Sequence, residues 1–113
     1  MKPTQEIKIS AQIIQELILF LMYHGYKHYQ IAFDDQGDVE TYQVTLPEIS
    51  QELVSQMKKE IDLPREESME AYYFELLGDL DTKEDLELLG VFIDQLEVIK
   101  HETNVQLIFK RKK

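Results

Sequence analysis

The amino-acid sequence predicts an α+β fold of two layers: one four-stranded sheet, made of two hairpins, with helices on one face, in the order α-β-β-α-α-α-β-β. Apolar residues recur at helical spacing in some segments and alternate with polar residues in shorter ones. Glycine, proline and Asx-rich turns separate these segments, and no connection is long enough to divide the chain. We therefore expect a single domain over residues 1–113, with a real core because 43% of its residues are hydrophobic.

The first helix is predicted to begin at Ile9 and Ser10. Ser10 is a residue type that caps helices, and Ile9 and Ile14 are spaced as a hydrophobic staple around such a cap. The segment "IIQELILFLM" is apolar on nearly every side, which indicates a central helix packed on most sides. Gly25 is expected to end it, since glycine commonly follows a helix C-terminus.

A hairpin is predicted next, with strands in "YQIAFDD" and "VETYQVTL", because apolar and polar residues alternate in both. The segment "DDQGD" between them has the residues of a hairpin turn. The opposite faces of these strands are mostly polar, so we expect one side of the sheet to contact water. The residues expected to face the core are Tyr29, Ile31, Phe33, Tyr42, Val44 and Leu46.

Three more helices and a second hairpin complete the predicted fold. Pro47 should open the second helix, Gly78 should close the third, and Thr82 should cap the fourth. Two short strands, "EVIKHE" and "NVQLIFKRK", should then meet around a turn at Thr103-Asn104. The expected core stripes of the helices are Ile49, Leu53, Met57 and Ile61; Met69, Tyr72, Tyr73, Leu76 and Leu77; and Leu86, Leu89, Ile93 and Leu96.

The composition argues against several classes of function. The net charge is −10, and an acidic surface repels phosphate backbones, so we expect no nucleic-acid partner. The longest apolar run, Leu17 to Tyr23, is far shorter than the roughly 20 residues of a membrane span, and the N-terminus has no signal pattern. The chain has no cysteine, which removes disulfides and thiolate metal sites. We expect a soluble, cytoplasmic protein without membrane association.

Two segments at opposite ends of the chain, "IIQELILFLMYHGYKH" and "LELLGVFIDQLEVIKHETNVQLIFKRK", resemble parts of the GHKL ATPase fold. This fold is shared by histidine-kinase ATPase domains and bacterial anti-sigma factor kinases. The resemblance places Glu16 where the family has its catalytic glutamate, and His24 and Gly25 where the family's first helix ends. The middle of the chain is also similar to a stretch found in small bacterial proteins. The resemblance thus implies a bacterial protein with an ATPase-like shape.

The same comparison implies that the nucleotide pocket is degenerate. The family's magnesium-binding asparagine would fall on Phe20, which cannot bind a metal. The adenine loop would fall in "VTLPEISQE", which has no glycine, and the second glycine box keeps only Gly90. Glycines let backbone N–H groups approach phosphates closely, so their loss removes the means of binding a triphosphate. We expect no cofactor and no ATPase activity.

The remaining candidate chemistry favours structural roles. His24 and His28 have the spacing of two zinc ligands on a helix, but Gly25 interrupts that helix and no third ligand is evident, so a histidine at a helix end is favoured. The paired carboxylates lie in predicted turns or helix starts, where water screens them. "DDQGDVE" is a better hairpin turn than a calcium loop, and no serine lies in a nucleophile elbow. We expect no catalytic and no metal site.

The predicted third helix offers a candidate interaction surface. Tyr72, Tyr73 and Phe74 are consecutive, so at least one of the three rings must point away from the core, in acidic surroundings that also hold Arg65 and Glu66. Exposed aromatic residues are enriched at interaction hot spots. The alternative is that the outward ring packs against a neighbouring helix.

The sequence therefore predicts a non-catalytic protein-binding or regulatory module with a degenerate ATPase-like fold. One alternative is a GHKL-type ATPase or kinase that still binds nucleotide, in which case Glu16 and His24 are the residues to mutate. Another is an acidic antitoxin or immunity-type inhibitor of a basic protein, which the net charge of −10 suits. The water-facing side of the sheet leaves a homodimer open.

Overall fold

The computed structural model of the protein describes residues 3–61 and 87–113, and within them the predicted α+β architecture is confirmed. The helices are α1 (Pro3–Tyr23), α2 (Gln51–Ile61) and α3 (Glu87–Phe92). The strands are β1 (Gln30–Asp35), β2 (Val39–Leu46), β3 (Gln95–Lys100) and β4 (Val105–Lys112). The predicted third helix and the predicted cap Thr82 lie outside the described residues.

The four strands form one antiparallel sheet in the order β1-β2-β4-β3. Each hairpin supplies one central and one edge strand, and the two hairpins join where β2 pairs with β4, from Val39 opposite Lys112 to Leu46 opposite Val105. Sequential pairing therefore makes the hairpins, and a single long-range pairing makes the sheet. As a consequence, β1 and β3 are the edges.

The core lies between one face of this sheet and the helices. Burial alternates along both central strands, so that every second residue is covered. The apolar residues buried on this face are Tyr42, Val44, Leu46, Val105, Leu107 and Phe109. The helices add Ile9, Ile13, Leu17, Phe20, Leu21, Leu53, Val54, Met57, Ile61, Leu89 and Phe92 to the same core. The other face has Thr41, Gln43 and Thr45 on β2, as the alternation predicts.

The C-terminus of α1 confirms the prediction for Gly25. The glycine has φ 86°, a left-handed conformation that residues with a side chain rarely adopt. Its N–H donates to the carbonyl of Met22 at 3.0 Å, and the N–H of Tyr26 donates to the carbonyl of Leu21 at 2.9 Å. These two bonds are those of a Schellman motif, which satisfies carbonyls that the helix leaves open.

The predicted start of α1 is wrong. The helix begins at Pro3, several residues earlier, and proline is favoured in a first turn because its missing N–H has no partner there in any case. Ser10 is therefore not a cap but lies within the helix. Its hydroxyl is 3.0 Å from the carbonyl oxygen of Glu6, one turn back, and also reaches the sheet, as described below.

The predicted start of the second helix is also wrong, because α2 begins at Gln51 rather than at Pro47. Ser50 is the residue that caps it. The N–H of Leu53 donates to the Ser50 hydroxyl at 3.4 Å, and the N–H of Val54 donates to the Ser50 carbonyl at 3.1 Å.

The last predicted helix ends earlier than its apolar stripe indicates. Helix α3 stops at Phe92, and Leu96, assigned to the stripe, lies in β3 opposite Phe109. The N–H of Asp94 already donates to the carbonyl of Lys110 at 2.9 Å, so pairing with β4 replaces the helical bond there. The following turn has Glu102 and Thr103 at its tip, one residue before the predicted pair.

Candidate functional site

Helix α1 carries an apolar stripe that the described residues, 3–61 and 87–113, leave largely uncovered. Within those residues, one side of the helix packs in the core and only Ile14 of the stripe is half-buried against it, so packing on most sides is not confirmed there. Its buried side faces the sheet, but residues 7, 11, 14, 18 and 22 repeat at spacings of three and four and so share another side. On it, Ile7 is 69% exposed, Met22 is 62% exposed and Ile18 is 36% exposed. We call Ile7, Ala11, Ile14, Ile18 and Met22 the outer stripe.

A groove runs between the outer stripe and strand β1. It is a cavity of about 550 Å³ whose apolar lining comes from Ile7, Ala11 and Ile14 of α1 and from Phe33 of β1. The Phe33 side chain points to the helix side of the sheet, since its residue pairs with the buried Tyr42 and the two ring centroids are 5.1 Å apart. Phe33 is nevertheless 43% exposed, so the groove is open to solvent.

Strand β1, at the edge of the sheet, forms one side of the groove. Within the described parts of the chain, β2 is the one strand that pairs with β1, over six residue pairs. The hairpin closes with the Gln36 N–H donating to the Val39 carbonyl at 3.0 Å. Because hydrogen-bonded and non-hydrogen-bonded pairs alternate in an antiparallel ladder, the N–H and C=O groups of Ile31, Phe33 and Asp35 point away from β2. The side chains of these residues lie on the helix side of the sheet.

A buried polar cluster closes one end of the groove around the carboxylate of Glu40. This group accepts hydrogen bonds from the Ser10 hydroxyl at 2.5 Å and from the Tyr42 hydroxyl at 2.7 Å. It also accepts from Nη1 of Arg111 at 3.4 Å and forms an ion pair with Nζ of Lys113 at 3.5 Å. Residues from α1, β2 and the C-terminal segment thus converge on one carboxylate.

The cluster ties α1 to the two central strands. Arg111 is 1% exposed and Glu40 is 2% exposed, and the two residues are directly opposite in the β2–β4 ladder. Nη1 of Arg111 also donates to Oε2 of Glu6 at 2.7 Å. A charge can remain buried only when it is paired and hydrogen-bonded. The two bonds from α1, by Glu6 and Ser10, therefore hold the N-terminal half of this helix over the sheet.

At the mouth of the groove, Lys113 is clamped by two carboxylates. Its ammonium is 2.9 Å from each carboxylate oxygen of Asp35 and 3.5 Å from Glu40. The bond from Lys113, together with the N–H of Gly37, holds the pKa of Asp35 below its ordinary value. The bond to Asp35 raises the pKa of Lys113 in turn. The mouth of the groove is thus a place where an ammonium group is bound.

Burial fixes the protonation state of Tyr42. Loss of water raises the pKa of its hydroxyl well above the ordinary value, and the adjacent Glu40 raises it further, while a hydrogen bond with Ser10 opposes the shift. Tyr42 therefore stays neutral and remains a donor to Glu40.

The structure does not bring the residues of the predicted nucleotide-binding alternative into this groove. Glu16 is buried on α1, about 12 Å along the helix axis from His24 and on a different side from the outer stripe. Phe20, at the position of the family's magnesium ligand, lies in the core with its ring 4.5 Å from that of His24. His28 follows the helix end at Gly25. In residues 3–61 and 87–113, no group of three or more acidic or histidine side chains is placed to hold a metal ion.

The candidate surface on the predicted third helix, with Arg65, Glu66, Tyr72, Tyr73 and Phe74, lies outside the described residues and stays a prediction. The groove was missed, although two signals for it were present. One is the apolar character of α1 all round, which a helix covered on one side does not need. The other is the inward phase of two opposite charges: Glu40 continues the alternation of Tyr42 on β2, and Arg111 continues that of Phe109 on β4.

No protein-family model, no curated protein and no solved structure matches this chain. The resemblance to GHKL ATPases therefore stays a prediction. No helix in the described part of the chain has the length and apolar character needed to cross a membrane. The fold and the site define an α+β domain with a groove between its first helix and a sheet edge.

Proposed function

We propose that this protein is a non-catalytic protein-binding module and that the outer stripe and its groove are the binding surface. The observation that supports this is the exposure of Ile7, Ile18, Met22 and Phe33 on adjoining elements. With these exposures, the four side chains leave on the order of 400 Å² of apolar surface uncovered, a size at which patches on a small monomer are often functional.

The polar groups near the groove support binding rather than catalysis. The Ser10 hydroxyl and the Glu40 carboxylate are bonded to each other, and the carboxylate also accepts from Tyr42 and Arg111. A nucleophile needs a base that is not already held by several donors, and a general acid needs access to its substrate. Glu40 is 2% exposed and instead holds together the elements that form the groove.

A second candidate is an acidic inhibitor that covers a basic protein, as an antitoxin or immunity protein does. The net charge of −10 favours this class, and the same groove would serve it. The two candidates differ in the partner and not in the surface.

The proposal is tested by affinity capture from an extract of the organism that encodes the chain. Wild-type protein and Ile7→Glu are used as baits, because Ile7 is exposed and lines the groove, and retained proteins are quantified by mass spectrometry. A carboxylate inside an apolar interface is costly, so we expect a specific partner to be reduced at least about 10-fold by Ile7→Glu. Gln56→Glu, which introduces the same charge on the exposed side of α2, is the matched control and should retain the partner. A retained set that is identical for all three baits overturns the proposal.

A further inference from the structure

We infer that the partner enters the groove as an extended segment that pairs with β1 as a fifth strand of the sheet and carries a basic residue to the Asp35 end. This inference rests on the proposed binding function and specifies the conformation and chemistry of the partner. Three features support it: a sheet edge that no other described strand pairs with, apolar side chains of α1 beside that edge, and a bound ammonium at one end of the groove.

The backbone of β1 favours a strand over a helix as the occupant. The outward N–H and C=O groups of Ile31, Phe33 and Asp35 present donors and acceptors at strand spacing. Natural edge strands are protected by proline, a bulge or charged side chains. Strand β1 has no proline and pairs without a bulge over its six residues, and its two charged residues, Asp34 and Asp35, lie at the end next to the turn. A helix lying in the groove would leave these backbone groups without protein partners. A strand uses them as in β-augmentation.

The apolar side chains that line the groove favour an apolar residue at every second position of the partner strand. In a strand paired with β1, every second side chain points to the helix side of the sheet, as those of Phe33 and Asp35 do. Such side chains would contact Ile7, Ala11 and Ile14 of α1 and the ring of Phe33. These contacts suit aliphatic or aromatic residues. The intervening side chains would point to the water-facing side of the sheet and contribute little.

The polar end of the groove selects a cation. The ammonium of Lys113 is bound there by Asp35 and Glu40, so the geometry for an ammonium group already exists. A lysine in the partner can take the place of Lys113, which directly follows β4 and is exposed. The net charge of −10 attracts a basic segment and repels an acidic one. The expected motif is two or three alternating apolar residues followed, in the same phase, by lysine or arginine.

The test uses synthetic peptides with purified full-length protein. The probes are fluorescein-labelled octapeptides with Val, Ile, Leu or Phe at alternate positions and Lys, Gln or Glu at either end, measured by fluorescence anisotropy. We expect lysine-ended peptides to bind, and the glutamate versions to bind at least about 10-fold more weakly. N-methylation of the best peptide should weaken binding about 10-fold at every second amide and less than about 2-fold at the amides between, because only alternate N–H groups face β1. Equal losses at all amides, or tighter binding of helical peptides of the same composition, overturn the inference.

Two substitutions in β1 test the same contacts by changing the protein instead of the peptide. Phe33→Pro removes an N–H that points away from β2, so it spares the existing ladder, while Phe33→Leu keeps that donor and is the matched control. We expect the proline variant to bind the peptide at least about 10-fold more weakly than the leucine variant. Asp35→Asn should abolish the preference for lysine over glutamine and leave the N-methylation pattern intact. It serves independently if Phe33→Pro does not fold by circular dichroism.

The two proposals fail in different ways. If Ile7→Glu loses a captured partner but no octapeptide shows alternate N-methylation effects, strand addition is wrong and the binding function stands. If no captured protein depends on Ile7, the proposed binding function of this surface is wrong, whatever the peptides do.

Discussion

Replacing Arg111 with methionine should destabilise the fold strongly, although the new side chain fits the space of the old one. Methionine replaces the aliphatic stem of arginine and removes the guanidinium. In the wild type this group donates to Glu6 at 2.7 Å and to Glu40 at 3.4 Å, and Arg111 is 1% exposed. The variant leaves the Glu40 carboxylate buried without its strand partner.

The size of the effect follows from what remains around Glu40. Removing one member of a buried ion pair costs about 3–5 kcal/mol. The hydroxyls of Ser10 and Tyr42 still donate to Glu40 in the variant, and the ammonium of Lys113 stays 3.5 Å away. We therefore expect the lower end, about 3 kcal/mol. For a domain of this length, that corresponds to a fall of about 13 °C in Tm.

The assay is urea and thermal unfolding, followed by far-UV circular dichroism, of the wild type, Arg111→Met, Glu40→Gln and the double variant. Lys59→Met, at an exposed position of α2, is the control and should change the unfolding free energy by less than about 0.5 kcal/mol. The double variant should lose at least about 1 kcal/mol less than the two single losses together, because neither charge is then left alone. A loss below about 1 kcal/mol for Arg111→Met, or simple additivity, would refute this reasoning.

Three further changes test separate features of the fold. The pKa of Tyr42 is raised in the folded state, so its contribution to stability is complete below the ordinary pKa of 10 and is lost as pH rises above that value. The unfolding free energy of wild type relative to Tyr42→Phe should therefore fall by about 1.4 kcal/mol by pH 11. A constant difference from pH 9 to 11 would argue against a buried hydroxyl. Gly25→Ala should lose about 1 kcal/mol in urea unfolding from its φ of 86° alone, since no atom lies within 4 Å of the added Cβ; an unchanged midpoint would contradict the left-handed cap. Gly90→Ala should lose about 1–3 kcal/mol, because the new Cβ would lie 2.8 Å from the carbonyl oxygen of Glu60 on α2; wild-type stability would mean that α2 and α3 do not approach this closely.

Local chemistry made the first hairpin predictable from the sequence. Alternation fixed which residues of β2 face the core, and the turn residues fixed where the strands reverse. Gly37 has φ 92°, and its N–H donates to Oδ1 of Asp35 at 2.9 Å, as a turn of this composition requires. Gly25 was predictable for the same reason, since a left-handed residue is needed where the helix stops. In both cases, the determining contacts lie within a few residues of one another.

The candidate site was not predictable in this way, because its contacts join distant parts of the chain. Ser10 precedes an apolar run and so has the local pattern of a cap, yet its hydroxyl bonds Glu40 on β2. Glu6 and Arg111 lie at opposite ends of the chain and meet only because β4 is a central strand under α1. No periodicity encodes which strand of the second hairpin pairs with β2. Consequently, the fold class followed from the sequence while the groove did not.

The buried polar cluster around Glu40 also determines which side of α1 faces the sheet. The helix has two apolar sides, one with Ile13 and Leu17 and one with Ile14 and Ile18, separated by roughly 100° of rotation about the helix axis. Hydrophobic burial is non-directional and selects only weakly between them. Buried polar contacts are directional, and Glu6 and Ser10 can reach Arg111 and Glu40 in only one of the two orientations. The buried ion pair therefore stabilises the orientation that leaves the outer stripe exposed, as the proposed binding function requires.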